Sequence, residues 1–271
     1  MIIHANEYHI SLLIICLCFS FLILSCDTPD RFKKPVKDES KKHTFYEPPH
    51  RTNSELHYTG FTVQYNPSTK QPKWVSYTLT AKQVETTKHT PKFSRHYMPD
   101  PNLDLPQATN EDYRNSGWVK GHMARRQDMK WSEQAVIESD YFTNICPQNE
   151  IMNNGVWHKI ENLVRRIATQ YGSVHVICGP IFTDTLNGHI GPNHIPVPDC
   201  FFKTLLIKDG SAYHSIAFLC PNKESVLSML EATCTVNMVE SMSQIDVYSY
   251  LPDDVEEYVE SQIDTSLWNI W

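Results

Sequence analysis

Positive charge is missing from both ends of this 271-residue chain. Residues 1–26 and 252–271 contain neither Lys nor Arg, although the second segment holds six acids. The formal net charge of −7 arises at these ends, because residues 27–251 carry 24 basic and 24 acidic side chains. A neutral body excludes a protein that coats DNA through charge alone, but it allows a local basic patch.

The sequence also lacks a Cys-x-x-Cys pair and any internal repeat. The first absence argues against a cysteine-based zinc site. Five cysteines remain in the body, so at most two disulfides can form, and we expect most of these thiols to be free and buried. A hydrophobic content of 41% with 20% charged residues excludes a fibrous or fully disordered chain. The length fits one large domain or two small ones.

A long apolar run, ISLLIICLCFSFLILS, occupies Ile10–Ser25 and is followed directly by Cys26. Its length fits the core of a signal peptide or a short membrane helix. A small residue followed by Cys resembles the cleavage motif of bacterial lipoproteins, which implies a signal peptide over 1–25 and acylation of Cys26. The alternative is an uncleaved signal anchor. Either way, we expect an exported protein held at a membrane and facing the periplasm or the cell exterior.

The polar segment 26–55 is rich in Lys, Asp, Pro, Ser and Thr, and it cannot bury enough apolar surface to fold alone. We interpret it as a disordered tether between the membrane and a folded domain. The domain is predicted over 56–251. The acidic residues 252–271 are predicted to form a mobile C-terminal tail.

Alternating or β-branched segments predict strands at Gly60–Asn66, Lys73–Thr80, Val174–Cys178, Phe201–Ile207 and Tyr213–Leu219. Apolar residues recur at helical spacing within Asn153–Tyr171, with Asn153 or Asn154 as a candidate N-cap and Gly172 at the end. These elements predict a mixed α+β domain.

The stretch Trp118–Glu161 holds the residue types that phosphodiester hydrolysis needs. His122 could take a proton from water, because imidazole titrates near neutral pH. Asn153 and Glu161 offer the oxygen ligands that Mg²⁺ prefers. Spacing by four predicts Asn153, Trp157 and Glu161 on one side of the helix. Each residue alone has a simpler interpretation, such as a loop histidine or a helix cap, so the hypothesis depends on their combination.

Three motifs occur in order, and they are Val119-Lys120-Gly121-His122, Asn144-Ile145-Cys146-Pro147-Gln148 and Asn153-x-x-x-Trp157-x-x-x-Glu161. They resemble the signature of the DNA/RNA non-specific endonucleases, the endonuclease G-like ββα-metal group. The resemblance covers roughly residues 56–250. It implies a ββα-metal, or His-Me finger, fold of the α+β class with a central, mostly antiparallel sheet flanked by helices.

The resemblance further implies a Mg²⁺-dependent endonuclease, with Mn²⁺ as an alternative ion, that cuts DNA and RNA with little sequence preference. Homodimers occur in this family. The implied roles are His122 as general base, Asn153 as metal ligand, Glu161 as holder of the metal's waters, Arg95 as phosphate contact, Asn144 as a supporting residue and Lys120 in place of the family's Arg.

Three positions differ from the family pattern, because Val119, Lys120 and Arg125 stand where Asp, Arg and Pro are usual. Lysine keeps the charge but loses the bidentate fork of arginine. Arg125 and Arg126 belong to a basic run beside His122, which we interpret as a nucleic-acid-binding patch. A solvated surface loop is the alternative. Two other functions stay open: a catalytically weakened nucleic-acid-binding surface lipoprotein, and a narrowly specific nuclease or toxin with an immunity partner.

Overall fold

The computed structural model describes residues 55–90, 92–183, 187–224 and 226–270. The predicted signal peptide, Cys26 and nearly all of the predicted tether lie outside these residues. Within the described part, no helix combines the length and apolar character needed to cross a membrane.

The strands of the largest sheet are short at its two edges and long in its centre. They are β1 (Glu55–His57), β2 (Thr62–Asn66), β3 (Gln71–Thr80), β4 (Val119–His122), β5 (Ile145–Gln148), β6 (Ser173–Ile181), β7 (His189–Ile190), β8 (Ile195–Pro196), β9 (Cys200–Asp209), β10 (Ala212–Pro221) and β11 (Thr233–Cys234). The helices are α1 (Ala81–His89), α2 (Asn110–Tyr113), α3 (Arg126–Met129), α4 (Glu133–Ser139), α5 (Glu150–Met152), α6 (His158–Tyr171), α7 (Met229–Ala232), α8 (Val236–Ser243) and α9 (Asp253–Ser261).

The central sheet has the strand order β1-β2-β3-β6-β9-β10-β11, and every neighbouring pair is antiparallel. All five predicted strand segments belong to it. The predicted α+β class, with a mostly antiparallel sheet flanked by helices, is confirmed.

The two faces of this sheet are both covered, which explains why β6 and β9 are almost wholly buried. Successive side chains of a strand point to opposite faces. Val176 and Cys178 accordingly join the core under α6, whereas Ile177 joins the core under α8 and α9. The five cysteines in the described part of the chain are free, and four of them are buried, as the sequence predicted for most of them; Cys234 is partly buried.

The long helical segment begins earlier than the sequence predicted. The side chain of Asn149 accepts hydrogen bonds from the backbone N–H groups of Ile151 and Met152 at 3.0 and 3.2 Å, so Asn149 is the N-cap. Neither Asn153 nor Asn154 has this role. Gly172 follows α6 with a φ of +85°, a conformation that glycine adopts without a Cβ clash.

The predicted mobile tail is wrong, because residues 252–270 are packed into the domain. Helix α9 buries Val259, and the chain beyond it buries Trp268 and Ile270 at 0% and 2% exposure. The guanidinium of Arg166 in α6 donates hydrogen bonds to the backbone oxygens of Trp268 and Asn269. The prediction relied on the six acids, whereas the few apolar residues between them decide the packing.

Candidate active site

The antiparallel pair β4–β5, followed by α6, presents His122 beside the start of that helix. Gly121 lies opposite Cys146, and a Cβ at Gly121 would fall 2.0 Å from Oε1 of Gln148. Any side chain at this position would force the buried Gln148 side chain to move. The close approach therefore explains why Gly121 and Gln148 occur together in the first two motifs.

Asn144 fixes the backbone that follows His122. Its Oδ1 accepts from the N–H of Ala124 at 2.8 Å, and its Nδ2 donates to the backbone oxygens of Ala124 and Ser139, both at 2.9 Å. The side chain is fully buried and does not line the cavity described below. Its position fits the predicted supporting role.

His122 is held by Asp140, a residue that the sequence analysis missed. Nε2 of His122 lies 3.1 Å from Oδ1 of Asp140, whose side chain is 3% exposed. Burial alone would raise the pKa of Asp140, but the hydrogen bonds and charges of His122 and Arg126 outweigh it and lower that pKa. An ionised carboxylate only accepts, so the Nε2 atom carries the proton and Nδ1 is the basic nitrogen.

Most of the Arg126 side chain is buried against Asp140, although the residue still lines the cavity described below, so its contact with nucleic acid stays a prediction. Its Nε donates to both oxygens of Asp140 at 3.0 and 2.9 Å. One terminal nitrogen donates to the backbone oxygens of Phe93 and Ser94. Arg126 belongs to the basic run seen in the sequence, but at the start of α3 its guanidinium points into the protein and not to solvent.

A cavity of about 420 Å³ opens in front of His122. We call it the basic cavity, and its lining residues are Arg95, Tyr97, Lys120, His122, Arg125, Arg126, Gln127, Lys130, Asn153, Asn154, His158 and Glu161. Five of these are Arg or Lys, against a single carboxylate. A low-dielectric wall with one sign of charge attracts anions, so the neutral body does contain the expected basic site.

Seven of the eight predicted site residues in the described part line this cavity, whereas the eighth, Asn144, supports it from behind. Lys120 Nζ lies 5.1 and 5.2 Å from the ring centres of Tyr97 and Tyr113, and Arg95 lies 5.8 Å from that of Tyr97. Burial lowers the pKa of Lys120.

A π-helical turn over Asn153–Trp157 joins α5 to α6, and Gly155 within it departs from helical geometry. Such insertions are frequent at functional sites. Asn153 and Glu161 both line the cavity, whereas Trp157 is fully buried. The predicted proximity of Asn153 and Glu161 is thus observed, while Trp157 belongs to the core and not to the cavity lining.

Glu161 is paired with Arg125, the residue at the position where the family has Pro. Nε of Arg125 lies 3.1 Å from Oε2 of Glu161, and its terminal nitrogens contact Asn162 and His158 at 2.9 and 3.3 Å. All three contacts are to α6, so Arg125 joins the chain after β4 to that helix while it lines the cavity. His158 is a further cavity residue that the sequence analysis did not single out.

The donor set fits a hydrated divalent cation. The side chain of Asn153 makes no hydrogen bond to another described residue, and it shares the cavity with the Glu161 carboxylate. An amide oxygen and a carboxylate suit Mg²⁺, which keeps most of its waters and takes one or two protein ligands. Asn153 would bind the ion, and Glu161 would accept hydrogen bonds from its waters.

Comparison with known proteins agrees with this geometry. Residues 40–254 match the family described as DNA/RNA non-specific endonuclease. This chain belongs to that family. The identification made from the three motifs is thereby confirmed, whereas attachment as a lipoprotein stays a prediction.

The chain is similar to mitochondrial nucleases. It is 32% identical to Nuclease EXOG of Xenopus laevis over 178 residues, which cover 61% of this chain and 49% of the relative. It is 30% identical to Nuclease 1 of Schizosaccharomyces pombe over 211 residues, 71% of this chain and 65% of the relative. The chain thus spans about half to two thirds of the length of these relatives.

One solved structure, of the EndoG/EndoGI complex, matches with a TM-score of 0.66 and 22% sequence identity. The match covers 76% of this chain and 89% of the other. It supports the assignment of the fold.

Proposed function

We propose that this protein is an exported, Mg²⁺-dependent endonuclease that hydrolyses DNA and RNA with little sequence preference. The observation that carries the proposal is the meeting of His122, Asn153 and Glu161 in one cation-rich cavity. Membership of the non-specific endonuclease family supports it. The ion and the substrate range are part of the proposal.

His122 acts as the general base through Nδ1. Asp140 accepts a hydrogen bond from the Nε2–H group and holds the ring, and Arg126 balances the charge of Asp140. When His122 takes a proton from the attacking water, the imidazolium is stabilised by the adjacent carboxylate. This arrangement orients the base without exposing the carboxylate to the phosphate.

The cations of the cavity bind the phosphodiester. Arg95, Lys120 and Arg125 line the cavity together with Tyr97. Positive groups placed where charge develops stabilise the transition state more than the substrate. A divalent ion at Asn153 would supply Lewis-acid stabilisation of the phosphate and the leaving oxygen.

The test compares His122→Ala with His189→Ala in cleavage of supercoiled plasmid in Mg²⁺. His189 is exposed on β7 and does not line the cavity, so its variant is a matched control. We expect a loss of about 10²–10⁴-fold in His122→Ala, the usual size of general-base catalysis. His189→Ala should cleave normally.

Full cleavage by a folded His122→Ala protein would contradict the proposal. Metal-independent DNA binding by the wild type without turnover would instead favour the weakened nucleic-acid-binding protein. That alternative has an observation behind it, since Arg125 pairs with the carboxylate that would hold the metal's waters.

Export and lipid attachment are proposed from the sequence alone, namely the apolar run 10–25 followed by Cys26. We expect the protein expressed in a bacterium to incorporate a labelled fatty acid and to sediment with membranes. The variant Cys26→Ser should lose both properties. Labelling that persists in Cys26→Ser would contradict acylation of this cysteine.

A further inference from the structure

Three carboxylates meet on the far side of the central sheet, outside the basic cavity. One oxygen from each of Glu240, Asp246 and Glu260 lies within 4.8 Å of the other two. Glu240 is in α8, Asp246 follows that helix and Glu260 is in α9. We call this group the acidic cluster, and none of its members lines the basic cavity.

Glu260 is the most deeply buried member of the cluster. It is 3% exposed, and its Oε1 makes no hydrogen bond to a described residue. Burial, followed by the charges of Glu240 and Glu256, raises its pKa. The Glu260 side chain is hydrogen-bonded to Glu240, so only Oε1 lacks a partner. A buried polar atom without a partner is costly, and like charges beside it add to the cost.

The segment of sequence that carries the cluster has no basic side chain. Residues 224–271 contain no Lys, Arg or His. Neither Glu240 nor Glu260 forms a salt bridge to a cationic side chain within the described residues. One oxygen of Glu240 accepts from the backbone N–H of Val247 at 2.8 Å, which holds the loop carrying Asp246 against α8.

We propose that the acidic cluster is a structural Ca²⁺ site that ties α8, the following loop and α9 together. Ca²⁺ takes six to eight oxygen ligands at roughly 2.3–2.6 Å, so two oxygens on one ion lie up to about 5 Å apart. The cluster meets this spacing with three carboxylates from two helices and one loop. Water molecules would complete the coordination.

Two other ions fit the donors less well. Zn²⁺ favours His and Cys ligands, and the cluster contains neither. Mg²⁺ demands octahedral geometry and usually keeps several waters with one or two carboxylates. Three carboxylates that include a buried one favour the larger and more tolerant ion.

Thermal unfolding of the full-length protein, with excess chelator and then with millimolar Ca²⁺, tests this site. Saturation at about a hundred times Kd should raise Tm by roughly 5–10 °C. Glu260→Gln and Asp246→Asn should lose most of this shift. Glu257→Gln, exposed on the same helix, is the matched control and should keep it.

A second variant separates this site from the basic cavity. Asn153→Ala should retain the full Ca²⁺ shift, because the cavity residue takes no part in the acidic cluster. A shift that disappears in Asn153→Ala but survives in Glu260→Gln would place the ion in the cavity and overturn the proposal. An absent shift in the wild type would indicate that the cluster holds a proton instead, and would also overturn it.

If Glu260→Gln does not fold, a measurement of metal binding to the wild-type protein still tests the site. Tyr248 is buried, and its electrostatic contacts include Glu240 and Glu260. Tb³⁺ bound at the cluster should therefore show emission on excitation of tyrosine, and Ca²⁺ should displace it. Wild-type protein that shows no Ca²⁺-sensitive emission would contradict the site.

Discussion

The basic cavity and the acidic cluster both contain carboxylates removed from water, but the two regions compensate them differently. In the cavity region, Asp140 is paired with Arg126 and His122, and Glu161 is paired with Arg125. In the acidic cluster, Glu260 meets other carboxylates and no basic side chain follows Lys223. Buried charge thus positions catalytic groups in the cavity region. In the acidic cluster it provides ligands for the proposed Ca²⁺ ion.

The largest expected effect comes from Asp140→Asn, which removes charge from the cavity's central pair. The Asn amide can donate to Nε2 of His122 and so favour the tautomer protonated on Nδ1, which cannot act as base. We expect kcat/KM for plasmid cleavage to fall by about 10²–10⁴-fold. The exposed Asp209→Asn is the control. A changed pH profile at normal folding would distinguish loss of positioning from unfolding, and unchanged kinetics would refute the role.

Arg126→Ala would make the cavity resemble the acidic cluster, because the buried carboxylate of Asp140 would lose its arginine partner. Breaking a buried pair by removing one partner costs about 3–5 kcal/mol of unfolding free energy. Arg114→Ala removes an exposed pair with Glu111, 2.8 Å apart, and should cost less than about 1 kcal/mol. Denaturant unfolding of both variants measures the contrast, and equal losses would argue against a special role for the buried pair.

Arg125→Ala removes the cation paired with Glu161 and so tests how that pairing affects metal and DNA binding. Without the guanidinium 3.1 Å away, the carboxylate gains effective negative charge and the cavity loses a phosphate contact. The Mg²⁺ concentration for half-maximal activity should fall by about 3–10-fold, while KM for DNA rises by a similar factor. Titrations of Mg²⁺ and DNA check both directions. Changes of the same sign would contradict the proposed dual position of Arg125.

The smallest effect is the pH dependence of stability that Asp140 contributes. Its folded-state pKa is lowered, so the stabilisation is present above the ordinary pKa of Asp, near 3.9, and is lost as pH falls through the lowered value. Wild-type stability should therefore fall more steeply than that of Asp140→Asn as pH drops below about 4. Identical slopes in urea unfolding would contradict the pairing.

Motif spacing predicted much of the site, because β4, β5 and α6 hold His122, Asn153 and Glu161 at fixed intervals along the chain. Asp140 escaped prediction, since it precedes Asn144 in a turn and has no motif of its own. Its proximity to His122 depends on how the turn between α4 and β5 folds back. The ion pair of Arg126 with Asp140 was not predicted for the same reason, as charge along a run does not indicate which guanidinium turns inward.

For the C-terminal region, the sequence pattern led to a wrong prediction. Six acids in 252–271 predicted a solvated tail, yet Val259, Trp268 and Ile270 bury against the domain. The strands were predictable because alternating or β-branched residues mark each of them in the sequence. A short amphipathic helix among acids gives a weaker pattern, and its packing depends on contacts such as Arg166 with the chain end.

The most direct test of the central claim is digestion of supercoiled plasmid and of total RNA by the purified protein, with Mg²⁺ and with excess chelator. The account predicts degradation of both substrates in Mg²⁺ and of neither in chelator. Equal degradation in chelator, or none across several divalent ions, would contradict metal-dependent catalysis at His122 and Asn153.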